Sequence, residues 1–210
     1  LETIMDCAEK CIYGRELLKG KKVVVSAGGT QEKIDPVRYI SNRSSGRQGY
    51  AIAKAAWMEG ADVTLVSCTT ALPAPYGVKM VYVQDARELE KAMNAEYDSC
   101  DAAIMAAAVS DYRPTVQADQ KIKKEDFDSL HIDLTQNPDI LYGLGQKKRG
   151  QFLVGFAAET QDVIEHGKSK LKRKNLDMLV ANDVAMPGAG FNGTTNIASL
   201  LYKDGHMEQY

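Results

Sequence analysis

The sequence predicts an α/β fold, a doubly wound and mostly parallel Rossmann-like sheet with helices on both faces. Short apolar runs recur along the chain, from KVVVSA (22–27) to NIASLLY (196–202). Segments of helical period separate them, and the runs are apolar on both faces, as strands covered by helices on two sides must be. Strand–helix alternation of this kind implies right-handed βαβ crossovers. The 210 residues suffice for one such domain with a complete core.

Residues 1–20 read as a short helix leading into a basic stretch, KGKK. The first strand is the β-branched run 22–27, and DVTLVS (62–67), KMVYV (79–83) and DAAIMAAA (101–108) follow it. FLVGFA (152–157), LDMLVA (176–181) and NIASLLY (196–202) complete the set. Between the strands, the pattern over 46–60 turns Ile52, Ala55, Ala56 and Trp57 toward one face. Residues 85–97 open on Asp85 with Glu88 three positions on, a capping-box arrangement. The segment 137–148 opens on Asn137 before Pro138, a helix-start signal. The segment 161–174 is basic toward its C-terminal end, as the helix dipole prefers. Only 110–130 lacks any period, and a polar stretch of that length in a compact domain points to a functional loop.

Composition narrows the function classes. Hydrophobic residues make up 44% and charged residues 26%, the balance of a globular protein in water. A formal net charge of −2 supplies no global field for nucleic acid or a membrane surface, so neither is expected as a partner. Any polyanionic ligand must be held by a local site. Cys7, Cys11, Cys68 and Cys100 have no histidine or second cysteine pair at zinc spacing and read as reduced thiols. A cytoplasmic setting follows. No apolar run approaches the roughly 20 residues that span a bilayer, and no signal-peptide pattern is present.

Ligands in doubly wound folds sit beyond the carboxyl ends of the strands, and the unusual residues collect there. The first strand runs into SAGGTQEKIDPVRYISNRSSGRQG (26–49), where Gly28 and Gly29 allow a sharp turn and close approach to a ligand. Ser44, Ser45 and Gly46 then open a helix, and free N–H groups with the helix dipole make an anion site at such an end. The dinucleotide fingerprint G-x-G-x-x-G is absent. Tyr50 and Lys54 spell YxxxK, the pair of short-chain dehydrogenases, but on the first crossover helix, where packing or solvent exposure is the expectation.

Five blocks in order, GGTQEKIDPVRYISNRSSG, AAAVSDYRP, KIKK, NPDIL and GFAAET, make the chain resemble the phosphopantothenate–cysteine ligase family over nearly its whole length from Lys21 onward. The resemblance implies transfer of a cytidylyl group from CTP, with Mg²⁺, to the carboxylate of 4′-phosphopantothenate. Cysteine then attacks the acyl-cytidylate. It implies Asn42 and Lys121 as catalytic residues: Asn42 donates to the acyl oxygen, and Lys121 stabilises charge on the α-phosphate from a mobile loop. Lys123 and Lys124 read as solvent-facing or as helpers at the phosphates. Arg38, with Asn42, Ser44, Ser45 and Gly46, would hold phosphopantothenate. A guanidinium fork suits phosphate, though Arg38 equally suits an ion pair with Asp35. Carried over position by position, the nucleotide site comprises Met105, Ala106, Ala107, Asp111, Lys121, Pro138, Asp139, Ile140, Leu141, Phe156, Lys170 and Lys174. Asp111 would face ribose or the metal, Phe156 at its strand end would stack on the base, and Lys170 with Lys174 would reach phosphate. No protein cage for Mg²⁺ is expected, the ion riding on the nucleotide phosphates.

The resemblance further implies a homodimer and a fusion behind a flavin-dependent decarboxylase. On that reading 1–20 is a linker and N-terminal helix, and 21–210 is the nucleotide-dependent ligase domain. Family members continue through a further helix where this chain stops at HMEQY (206–210). Two other readings compete. An NAD(P)-dependent oxidoreductase lacks its fingerprint here, and a non-catalytic nucleotide-binding module would bind CTP without releasing pyrophosphate.

Overall fold

Three consecutive valines at 23–25 disfavour helix and suit a pleated surface, and Lys22–Ala27 forms the central strand β1. The structure, a computed structural model, describes residues 2–124, 129–159, 163–183 and 198–210. β1 pairs in parallel with β4 (Asp62–Ser67) on one side and β6 (Ala102–Met105) on the other. β5 (Lys79–Tyr82) continues the sheet beyond β4. β9 (Phe152–Glu159) and β10 (Met178–Asp183) continue it beyond β6, again in parallel. β11 (Ala198–Tyr202) and β12 (Met207–Gln209) close that edge, giving the order β12-β11-β10-β9-β6-β1-β4-β5.

The sheet is therefore doubly wound and mostly parallel, as expected. The chain winds outward from β1 through β4 and β5, then returns to start again at β6. It departs at one edge, where the final run lies antiparallel as β11 rather than as another parallel strand and an unexpected β12 pairs antiparallel beyond it. A parallel return needs a crossover connection, usually a helix. The preceding sequence, with Pro187, Gly188, Gly190 and Gly193, has no helical period.

Helices cover both faces. α3 (Ala86–Tyr97), α4 (Ile140–Lys147) and α5 (Val163–Arg173) lie on one. There Leu89, Met93, Tyr97, Ile140, Leu144 and Leu171 pack on Val24, Val66, Ala103, Leu153 and Leu179. α2 (Arg47–Met58) covers the other with Tyr50, Ala53 and Ala56 against Val23, Val25, Ala27, Val63 and Leu65. Strand alternation sends neighbouring valines of β1 to opposite cores. α1 (Glu2–Tyr13) lies against the C-terminal end of α2.

Several local expectations need correction. Ala55 is exposed, because α2 packs through Gly49, Ala53 and Ala56, with Gly49 set against Ala27. Asn137 does not start α4; Asp139 caps it, accepting the Tyr142 N–H at 3.1 Å. The patternless 110–130 contains β7 (Tyr112–Pro114), paired antiparallel with β8 (Leu134–Gln136). The long insertion after Gly29 holds a second hairpin, β2 (Gln31–Lys33) with β3 (Tyr39–Ser41). In α3 the capping box appears with a shift. Asp85 accepts from the Arg87 and Glu88 N–H groups, while Glu88 accepts from Gln84 rather than from the cap itself. Residues 125–128 of the loop and the first two positions of the 161–174 pattern lie outside the described residues, as do 196 and 197 of the last run.

Candidate active site

The sheet reverses its winding direction between β1 and β6, and a doubly wound sheet opens its ligand crevice at such a switch. Gly28 leaves β1 with φ 87°, and a Cβ there would stand 3.2 Å from the backbone of Cys68 and Thr69. Only glycine adopts that turn without strain. Beyond it the two chains stay zipped. The Ala108 N–H donates to the Gly28 carbonyl at 2.8 Å, and the Thr30 N–H donates to the Ala108 carbonyl at 3.3 Å. Buried hydroxyls continue the seam: Ser26 accepts from the Ala107 N–H at 3.1 Å and Thr30 from the Ser110 N–H at 3.0 Å. Met105 is buried with its sulfur 3.6 Å from the Ser26 hydroxyl, so its side chain belongs to the core. Ala106 and Ala107 follow it half-buried, with the Ala106 N–H donated to the Ile104 carbonyl at 3.2 Å and the Ala107 N–H held by Ser26.

The β2–β3 hairpin returns the chain to this seam. Asn42 donates its side-chain amide to the Val109 carbonyl at 3.0 Å. A Cβ on Gly29 would lie 2.7 Å from the Asn42 carbonyl oxygen, so close passage of these backbones requires glycine. Ser44 and Ser45 follow, half-buried, and Gly46 occupies the N-cap of α2 at φ 80° with no side-chain cap bond. Ser45 turns its hydroxyl toward the Arg47 N–H at 3.4 Å.

Arg38 pairs with Asp35, the alternative the sequence left open. Asp35 is buried and accepts from the Val37 and Arg38 N–H groups at 2.8 Å each. It also accepts from Arg38 Nε at 3.0 Å and from a second guanidinium nitrogen. The guanidinium, with the three backbone donors, holds the Asp35 carboxyl well below the usual carboxylate range. The same pair grips the lysine loop: Asp35 accepts the Ile122 N–H at 3.2 Å and Arg38 donates to the Ile122 carbonyl at 2.9 Å. The Ala118 N–H donates to the Ile34 carbonyl at 2.9 Å. Lys121 thus projects, exposed, from a segment fastened at its next residue, and Lys123 and Lys124 are exposed beside it.

On the β6–α4 side, exposed Asp111 accepts the Asn137 N–H through its carbonyl at 2.8 Å. Asn137 donates its amide to the Ser110 carbonyl at 2.8 Å, and Arg113 bonds both Asn137 Oδ1, at 3.1 Å, and the Gln136 carbonyl. Pro138 leads, half-buried, to Asp139, which meets Lys174 at 2.8 Å. Partial burial raises the Asp139 carboxyl, but the Lys174 and Tyr142 hydrogen bonds outweigh it and the net direction is down. Ile140 is buried in the core, and Leu141 sits where a side chain on Gly155 would go. Lys170 is half-buried one turn before Lys174. Phe156 is not at a strand end: it lies half-buried opposite Val180, because the β9–β10 ladder runs on to Glu159↔Asp183.

Asn137, Thr30 and Ser110 were invisible as site-builders in the sequence. The Ser110 hydroxyl is buried without a hydrogen-bond partner among the described residues. The NP dipeptide marked Asn137 as a helix start, and only the folded hairpin reveals its bridging role. The YxxxK pair dissolves into packing. Tyr50 Oη and Ser67 Oγ are 2.9 Å apart, burial pushes the phenol up, and Lys54 pairs with Asp6 at 2.5 Å. All four cysteines are free thiols. Burial pushes Cys68 up to about 12 and Cys100 up to about 11, which keeps both in the unreactive thiol form. Among the described residues no three His, Cys, Asp or Glu side chains stand together as metal ligands, and no helix is long and apolar enough to cross a membrane.

Comparison with known proteins converges on one family. The family model for the DNA/pantothenate metabolism flavoprotein C-terminal domain matches residues 18–210. The coenzyme A biosynthesis bifunctional protein CoaBC of Vibrio cholerae is 48% identical over 207 residues, 98% of this chain and 51% of that protein. The chain therefore spans about half the length of such relatives. The crystal structure of the C-terminal domain of a coenzyme A biosynthesis bifunctional protein CoaBC superposes with a TM-score of 0.77 at 42% identity, covering 92% of this chain and 87% of that one. A variant of Cab2 in complex with phosphopantothenate-cysteine shares the fold, with a TM-score of 0.73 at 16% identity over 100% of this chain and 85% of that one. With most of its length matched from Leu18 to Tyr210, the chain belongs to the family of DNA/pantothenate metabolism flavoprotein C-terminal domains.

Proposed function

We propose that the chain is a phosphopantothenate–cysteine ligase of coenzyme A biosynthesis that uses CTP. The observation that carries this reading is that separate hydrogen-bond sets fix Asn42 to the Val109 carbonyl, just past β6, and the Lys121 loop to Asp35 and Arg38 in the turn of the hairpin that leads into Asn42. In the first half-reaction a carboxylate oxygen of 4′-phosphopantothenate attacks the α-phosphorus of CTP, and the bond to pyrophosphate breaks. Lys121 places a point cation where negative charge grows, the arrangement that lowers such a barrier most. In the second half the neutral cysteine amine attacks the acyl carbon, the bond to CMP breaks, and the nitrogen gives up one proton. The Asn42 amide carries two N–H bonds. One is spent on the Val109 carbonyl, which fixes its direction, and the other is left to donate to the acyl oxygen.

The half-buried Ser44 and Ser45 with the α2 N-terminus suit the phosphate of phosphopantothenate. A triphosphate would meet Lys170, and would compete with Asp139 for Lys174. Asp111 is an exposed carboxylate beside this seam, and a magnesium ion would enter on the nucleotide phosphates with Asp111 as a protein candidate. The same reading includes a homodimer, a cytoplasmic setting and fusion to a flavin-dependent decarboxylase. Cysteine-dependent pyrophosphate release with phosphopantothenate and Mg²⁺ tests it, with CTP expected to outperform ATP. Lys121→Gln should slow the first half by about 10²–10³-fold. Asn42→Asp should still release pyrophosphate in one turnover and retain the acyl-cytidylate, counted by rapid quench. Equal use of both nucleotides sinks the CTP assignment, and near-wild-type rates for both variants sink the assigned roles.

A further inference from the structure

Helix α1 is amphipathic, yet its polar side faces the domain. Asp6, buried, pairs with Lys54 of α2 at 2.5 Å. Lys10 donates to the Trp57 carbonyl at 2.5 Å and lies 4.0 Å above the Trp57 ring. The chain after the helix stays fastened to the same place, with Arg15 paired to Glu59 at 3.2 Å and the Leu18 N–H donating to the Glu59 carbonyl at 2.8 Å.

On the opposite side Ile4, Met5, Ala8, Cys11 and Ile12 follow the i, i+1, i+4, i+7, i+8 spacing of one helical face, and all are exposed. Ile4, Met5, Ile12 and the adjoining Tyr13 are 61–72% exposed. Isolated exposed apolar side chains need no explanation, but a contiguous strip marks a surface that something covers. A helix that spends Asp6 and Lys10 on its own domain and turns its apolar strip outward is built to join two bodies.

What covers the strip follows from where the helix sits in the relatives. The family domain begins at Leu18, so α1 lies outside it. Yet 98% of this chain is matched by the bifunctional relative, which is about twice as long. The α1 segment is therefore present in the two-part protein while belonging to neither the domain match nor its core. We propose that the outward face of α1 docks on the half of the bifunctional protein that this chain does not span, through an apolar groove on that half. The polar face then anchors the helix to α2, so that the two halves are held by packing as well as by the chain.

Cys11 lies in the strip and is an exposed free thiol, which makes it the reporter. Its alkylation rate, read peptide by peptide by mass spectrometry, is compared in two proteins. One is the 210-residue chain; the other is the full-length Vibrio cholerae protein with its matching part replaced by this chain. Docking predicts at least tenfold slower alkylation in the full-length protein. Ile4→Glu with Ile12→Glu should restore the fast rate there, while Glu9→Lys, on the same helix outside the strip, should leave protection intact. Equal rates in the two proteins overturn the proposal. So does protection that appears in the 210-residue chain alone and grows with its concentration, because the cover is then a second copy. Should the double Glu variant stay protected, the strip is not the contact and the proposal falls as well.

Discussion

Asp35 accepts five hydrogen bonds from three residues, and together they tie a hairpin to a loop more than 80 positions away in the chain. A buried carboxylate is tolerated only when paired and hydrogen-bonded, and here that requirement does structural work on the segment that carries Lys121. Because the folded-state value lies below the ordinary 3.8, ionised Asp35 favours the folded state. The sign follows: its contribution is complete above 3.8 and is lost as pH falls through the lower folded value. Asp35→Asn keeps the shape and removes the charge. We expect it to lower Tm at pH 7, by a margin unchanged at pH 5 and shrinking once pH drops below 3.8. Scanning calorimetry at the three conditions checks this, and a margin that widens on acidification would contradict the pairing.

Glycines decide how closely the elements approach. A Cβ on Gly49 would stand 2.5 Å from Ala27 Cβ and 2.8 Å from the Ser26 carbonyl oxygen, so α2 rides directly on β1 at that point. Gly49→Ala should force the helix outward and cost about 1–3 kcal/mol, as overpacking does. Gly143, inside α4, has nothing within 4 Å of such an atom. Gly143→Ala should instead stabilise by about 0.5–1 kcal/mol through lost unfolded-state freedom. Urea unfolding of the pair separates the two cases. At this scale the sequence was readable where elements are long. The central strands and α2, α3 and α5 declare themselves through runs of valine and through helical period. The hairpins β2–β3 and β7–β8 do not, because three residues are too few to show alternation, and yet they carry the Asn42 return and the Asn137 bridge. The α4 start misled because Pro138 stands just outside the helix rather than within its first turn. Arg38 was undecidable for another reason: a guanidinium beside an aspartate in sequence fits either partner until burial of Asp35 is known.

Across the whole molecule the candidate seam and the proposed α1 joint sit toward opposite ends of one helix. Gly46 caps the start of α2, a few residues after Asn42, and Trp57 lies in its last turn. Ten residues of helix between them correspond to about 15 Å. Trp57 is the one tryptophan of the chain. It is flanked by the Lys10 ammonium and by Tyr76, edge-on with ring centroids 5.7 Å apart, and Gly77 leaves space for its indole where any side chain would collide. The protein therefore carries a single indole emitter, and it reports on the proposed joint rather than on the candidate site. Indole emission should stay steady when ligands enter the crevice. On heating it should redden before the far-ultraviolet dichroism of the sheet and its covering helices collapses, since local openings precede global ones wherever few buried contacts hold an element. Coincident optical transitions would mean instead that α1 lets go only when the domain does, and that the two ends of α2 melt as one.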